Sequence, residues 1–397
     1  MALVRKTWDS YKKIAIDSFL LLFPGALTAI LIFAIASNRL FPNNKDCTLF
    51  LLNLFQLQML GITLVKFGID QIIISRLQPG GRSTIDVFFK QRVFPLTLLF
   101  CIVIGFIKGW IYAAFFALVL PMEVLYILVS TELSVSNRIK LSSILTLVGY
   151  PLVFILAYIA YTQNRLSDNI IFACFFVAAL LKMVLSFAFR NKGAKAEIAL
   201  LSYHIPVQQT GNYFMFRFDQ LVIALGLTIS FFSNKPLIMY YLFLAKFTEV
   251  ATGVIVGLAP ILYRKLGDQT GASFKKLFAS KYFLLLSGGI CIWQVTVSLF
   301  LFKPGNMHSD ILLFLPFLLS SLLVLPANLV TYSLLKMAAV QKINRLNLGS
   351  CAIGLTVFCF VLLTNNIYIF SLIVPIQLLV YIILFQLLYY KNSVAIA

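Results

Sequence analysis

A chain of 397 residues that is 61% hydrophobic and only 11% charged, with a mean hydropathy of +0.97, is not a soluble globular protein, whose charged share is about 25%. The formal net charge of +19 raises nucleic-acid binding as a function, but most of the basic residues follow membrane topology, so that role is not needed to explain the charge and is not assigned.

Apolar segments long enough to cross a hydrocarbon core of roughly 30 Å recur about twelve times. They lie near 14–37, 48–70, 91–108, 110–130, 141–161, 169–190, 205–231, 237–262, 279–302, 310–332, 346–364 and 367–390. The predicted fold class is an all-α polytopic membrane protein. Basic residues crowd every second connection: Arg5, Lys6, Lys12 and Lys13, then Arg76, Arg82, Lys90 and Arg92, then Arg138 and Lys140, then Arg190, Lys192 and Lys195. The pattern continues with Arg264, Lys265, Lys275, Lys276 and Lys281, with Lys336, Lys342 and Arg345, and with Lys391. The intervening connections hold only Arg39, Lys45, Lys108, Arg165, Lys235 and Lys303. Positive charge collects on the cytoplasmic side, so both termini are expected there. That basic face also attracts anionic lipid headgroups.

In chain order, the first segment follows MALVRKTWDSYKK, which resembles a signal n-region. It exceeds an ordinary signal core and shows no persuasive A-x-A cleavage site, so it is read as a retained helix. The second segment carries the best polar stripe, Asn53, Gln56, Thr63, Lys66 and Asp70, in helical steps. Two readings remain open for its charges: a cavity face, or an i,i+4 Lys66–Asp70 pair with Lys66 reaching the cytoplasmic surface.

Glu123 follows Pro121 in the fourth segment, with Tyr126 and Ser130 extending its face. It is a candidate proton carrier or a hydrogen-bonded structural acid. In the sixth segment Lys182 is expected to snorkel to the cytoplasmic surface and is left out of the site. The stretch RNKGAKAEIALLSYH (Arg190 to His204) then separates two sets of six segments, 1–195 and 196–397, which point to two six-helix lobes and an internal repeat.

The seventh segment places Gln209, Tyr213, Arg217 and Gln220 on one face, with Asp219 about 200° from Arg217 on the face of Asn212. Charges at mid-bilayer are costly and face a cavity or the bundle interior, so this helix is expected between the two. The eighth segment aligns Lys246 and Glu249 with Gly253 and Gly257, a pattern shared by helix contacts and cavity walls. Pro206, Pro260, Pro316, Pro326 and Pro375 lie in or at the ends of segments, where they can kink them. His204 and His308 fall near membrane edges and receive no titrating role.

Six cysteines are scattered without CxxC spacing, so neither a disulfide nor a metal framework is expected. The chain has no G-x-S-x-G, H-E-x-x-H or P-loop, and its outward connections are about ten residues or shorter. No catalytic residue is assigned.

LLSYHIPVQQTGNYFMFRFDQLVIALGL followed by MYYLFLAKFTEVATGVIVGLAPILYRKLGD resembles the second lobe of polysaccharide (Wzx-type) flippases. These belong to the multidrug/oligosaccharidyl-lipid/polysaccharide exporter superfamily. The resemblance is carried by Pro206, the R-x-D-Q run of Arg217, Asp219 and Gln220, the Tyr240–Tyr241 start and the Pro260-x-x-Tyr263 exit. LVKFGIDQIIISRL, through Phe67, Gly68 and Asp70, is similar to the family's first-lobe F-G-hydrophobic-D run.

The resemblance implies two lobes around a central cavity of alternating access in the bacterial inner membrane. The cargo would be an undecaprenyl-diphosphate-linked oligosaccharide for O-antigen, capsule or related glycan assembly, with other assembly proteins as partners. A diphosphate needs cations in a low-dielectric cavity, for which Lys66, Arg217 and Lys246 are the candidates. Gln56, Gln209 and Tyr213 would contact sugars. A proton or Na⁺ is the expected coupling ion, through Glu123, Asp219, Glu249 or Asp70, and no resident cofactor is expected. The alternatives are an ion-coupled multidrug exporter of the same superfamily, kept open by those four acids, and a membrane glycan polymerase or ligase.

Overall fold

The computed structural model describes residues 44–66, 89–135, 138–189, 204–225, 307–336 and 340–390, with isolated positions in 27–41, 237–248 and 287–295. Most of the first, eighth and ninth segments therefore lie outside the described residues, together with Asp70, Lys246, Glu249, Gly253, Gly257 and Pro260. Among the described residues all regular structure is helical, and eight helices are long and apolar enough to cross a membrane. The chain divides into two compact units, Met1–Pro206 and Val207–Ala397.

The first unit contains α1 (Lys45–Val65), a π-helical turn (Phe89–Val93) running into α2 (Phe94–Lys108), then α3 (Trp110–Val135), α4 (Ile139–Leu147), α5 (Tyr150–Thr162) and α6 (Asp168–Phe189). Asn44 caps α1, its Oδ1 accepting from the Cys47 amide at 3.3 Å. The helix consequently begins before the expected segment and takes Lys45 and Cys47 into its first turn. A single residue joins α2 to α3. That residue is Gly109 at φ +101°, a conformation that a side chain would oppose.

The expected fifth segment is two helices rather than one. Its ladder breaks at Val148–Gly149, where Pro151 supplies no amide to the preceding turn and suits the first turn of a new helix. Pro121 by contrast sits inside α3 without ending it.

α3 packs against α1, α2, α4 and α6, and is the centre of this unit. Phe116, Val119, Leu120, Val124 and Leu128 form its buried stripe at helical spacing. Around it, edge-to-face rings link Phe50, Tyr112 and Phe172, while Phe55 meets Tyr150 at 4.7 Å between centroids. The outward faces are as apolar as the inward ones: on α2, Leu98, Leu99 and Phe106 are exposed. In water such a surface would aggregate, whereas in lipid it costs nothing.

The second unit holds nearly all of α7 (His204–Leu225), then α8 (Met307–Lys336), α9 (Val340–Thr364), α10 (Ile367–Ser371), α11 (Ile373–Phe385) and a π-helical turn (Gln386–Tyr390). α11 packs against both α8 and α9. Met215 of α7 enters a core made by Val324, Leu325 and Val330 of α8, Leu346 of α9 and Leu378 and Tyr381 of α11. α9 ends at Asn365, φ +50°, and Asn366 then caps α10 through Oδ1. The last expected segment is therefore a short and a longer helix, with Pro375 in the first turn of the longer one. Pro316 and Pro326 both lie inside α8.

Candidate functional site

In the first unit a charged pair is buried among apolar helices. Lys182 Nζ of α6 donates to both carboxylate oxygens of Glu123 on α3, at 2.7 Å each. The two side chains are 1% and 2% exposed, so Lys182 does not snorkel: it points into the unit, and its expected surface role is corrected. Snorkelling fails because Glu123, 59 residues earlier in sequence, offers a carboxylate where the helix faces inward. The ammonium also lies over the rings of Tyr126 and Tyr150, at 4.7 and 4.6 Å from their centroids.

Gly149 closes this cage, since a Cβ there would lie 2.9 Å from Lys182 Cε. The face read from the sequence as Glu123, Tyr126 and Ser130 does turn inward. Tyr126 walls the ammonium, and Ser130 Oγ meets Ser142 Oγ of α4 at 2.9 Å.

The α1 stripe is split by burial. Gln56 is buried, Asn53 and Thr63 are half-buried, and Thr63 donates back to the Met59 carbonyl at 2.8 Å. Lys66 is half-buried at the helix C-terminus, where its amide closes the last turn on Ile62. Sequence reading missed Gln58, which is fully buried, and whose amide meets no partner at either end among the described residues. It lies off the stripe that carries Gln56 and Lys66, and nothing in the helical spacing marks it.

In the second unit α7 carries the residues of both expected polar faces, but the single helical register those faces assume is interrupted at Arg217. Arg217 breaks the helix, with φ −141° and ψ 18°, and its guanidinium carbon lies 5.8 Å from the centroid of the Tyr213 ring one turn earlier. Arg217 and Tyr213 are half-buried, whereas Asp219 and Gln220 are buried. Gln209 lies on α7 by its backbone, and its side chain is outside the described residues.

Asp219 and Asn212, expected on one face, have different partners. Tyr241 donates its hydroxyl to Asp219 Oδ2 at 2.5 Å. Asn347 of α9 donates to Asn212 Oδ1 at 2.9 Å and to the Gln208 carbonyl at 3.2 Å. Further along the unit, Ser350 donates to the Gln377 carbonyl at 2.5 Å, and Thr331 and Tyr381 share a hydroxyl contact of 2.8 Å. A chain of polar contacts thus ties α7 to α9, α9 to α11 and α11 to α8.

Near α10 the surface is different in kind. A groove of about 670 Å³ is lined by Leu312, Leu315, Pro316, Leu319, Tyr368 and Leu372. It is almost wholly apolar, which suits lipid chains and not sugars or phosphates. Among the described residues no three His, Cys, Asp or Glu side chains come together as a metal site. Comparison with models of known protein families, with curated proteins and with solved structures finds no match.

Proposed function

We propose that this chain is a flippase that carries an undecaprenyl-diphosphate-linked oligosaccharide from the cytoplasmic to the periplasmic leaflet. In this reading about twelve helices form two lobes of six in the bacterial inner membrane, with both termini cytoplasmic and access alternating across a cationic cavity.

The observation that supports it best is Arg217. A permanently charged guanidinium sits half-buried at a break in α7, stacked beside Tyr213. Broken helices that present charge and freed backbone groups are a recurrent way for transporters to bind charged cargo. A planar guanidinium binds phosphate oxygens in pairs, and a tyrosine face and hydroxyl suit a sugar. Lys66 gives the first unit a half-buried cation at the C-terminal end of a spanning helix.

The drug-exporter reading needs buried acids ready for a cationic cargo. Glu123 is already held by Lys182 through both oxygens, and Asp219 accepts from Tyr241, which counts against these two acids as a cation site. The polymerase or ligase reading gains no site from the described residues.

The test is protein-dependent movement of a labelled undecaprenyl-diphosphate oligosaccharide between leaflets of reconstituted vesicles. Arg217→Ala should slow it roughly tenfold or more, since a charge-assisted contact is worth about 1.5–3 kcal/mol. Unchanged movement in a folded Arg217→Ala protein would remove Arg217 from the cargo path. Absence of movement by the parent protein with several glycans would overturn the flippase reading.

A further inference from the structure

The surroundings of Lys182 Nζ have the composition of a receptor for a small ammonium ion. One carboxylate offers both oxygens at 2.7 Å, and two tyrosine rings present their faces within 5 Å from α3 and α5. Gly149 removes the side chain that would otherwise crowd the cation. Carboxylate plus aromatic faces is how proteins bind free alkylammonium ligands, yet here the ammonium belongs to the chain. The arrangement also exceeds the needs of helix packing, for which an apolar pair of similar volume would serve as well or better.

We propose that this cage is a monovalent-cation site of the first unit, with the chain's own lysine as resident occupant. A free cation reaching Glu123 has to displace Lys182. Glu123 is therefore buried without taking an ion from solution, and Lys182 is the competitor that any coupling cation meets at that carboxylate. The inference depends on the cage alone and is independent of the identity of the cargo.

Lys182→Ala vacates the space of a propylammonium ion, Cγ to Nζ, and so opens the site to one from solution. The purified full chain in detergent would be melted with n-propylammonium chloride, with n-propanol and with sodium chloride at matched concentrations. Lys182→Ala alone should melt well below the parent protein, and n-propylammonium should raise it again by several degrees while leaving the parent unmoved. The double variant Lys182→Ala/Glu123→Gln should show no such response.

Equal recovery with n-propanol would reduce the cage to an apolar void and overturn the proposal, as would recovery in the absence of the Glu123 carboxylate. If Lys182→Ala does not yield folded protein, it is extracted in n-propylammonium instead. Recovery of folded protein that requires Glu123 supports the site, and failure to recover any overturns it.

Discussion

Tyr241 places its hydroxyl 2.5 Å from Asp219 Oδ2, joining the start of the eighth apolar segment to the acid that follows the break in α7. Both side chains are buried, at 0% and 2% exposure, so this bond is made away from water and ties α7 to the segment that carries Tyr241.

Tyr241→Phe keeps the ring, which packs edge-on to Phe317 at 5.0 Å, and removes only the donor. The expected loss is about 1.5–3 kcal/mol of stability, the range for a hydrogen bond to a charged group. Denaturant unfolding of the purified protein measures it, and an unchanged midpoint would show that the hydroxyl contributes nothing to holding Asp219.

The Glu123–Lys182 pair should behave as a strongly coupled cycle. Glu123→Gln and Lys182→Met should each cost about 3–5 kcal/mol by leaving a buried charge without its partner, while the double variant should lie near the parent or above it. Four melting curves give the coupling, and additive losses would mean that the two charges do not sense each other.

Gly149→Ala puts a Cβ 2.9 Å from Lys182 Cε and 2.9 Å from the Thr146 carbonyl oxygen. The backbone atom has little room to yield, so a loss of about 1–3 kcal/mol is expected, as for other overpacked interiors. A melting temperature equal to that of the parent would show that the turn between α4 and α5 is loose.

Gly211 performs the same service for the contact between α7 and α9, since its Cβ would meet Asn347 Cβ and Nδ2 at 2.9 Å. Gly211→Ala should push Asn347 off both acceptors and cost about 1–3 kcal/mol. Asn347→Ala should cost a similar amount, and the double variant less than the sum, because the two changes break one contact. Strict additivity in unfolding measurements would separate the glycine from the hydrogen bonds.

The polar residues show how far one-dimensional reading reaches. The helical wheel correctly turned Glu123, Tyr126 and Ser130 to one inward face, and it put Tyr213 and Arg217 side by side on α7. It could not assign partners. Lys182 was sent to the surface because a lysine near a helix end has that option by default, and only the approach of α3 to α6 offers it a carboxylate instead. Gln58 was passed over because burial depends on which neighbours cover a helix face, and its own helix carries no sign of that. The break before Tyr150 was visible in principle through Pro151, yet Pro121 has the same chemistry and leaves α3 continuous, so proline alone does not say where a helix stops.

Membrane-spanning α-helical character was determined by the sequence itself. Transfer into lipid is summed residue by residue along a segment, and a helix satisfies its own backbone without help from neighbours. The pairing of charges and amides was decided by the tertiary structure. Whether Glu123 meets Lys182, Asp219 meets Tyr241 or Asn212 meets Asn347 depends on which helix faces pack together, a property that no single segment contains.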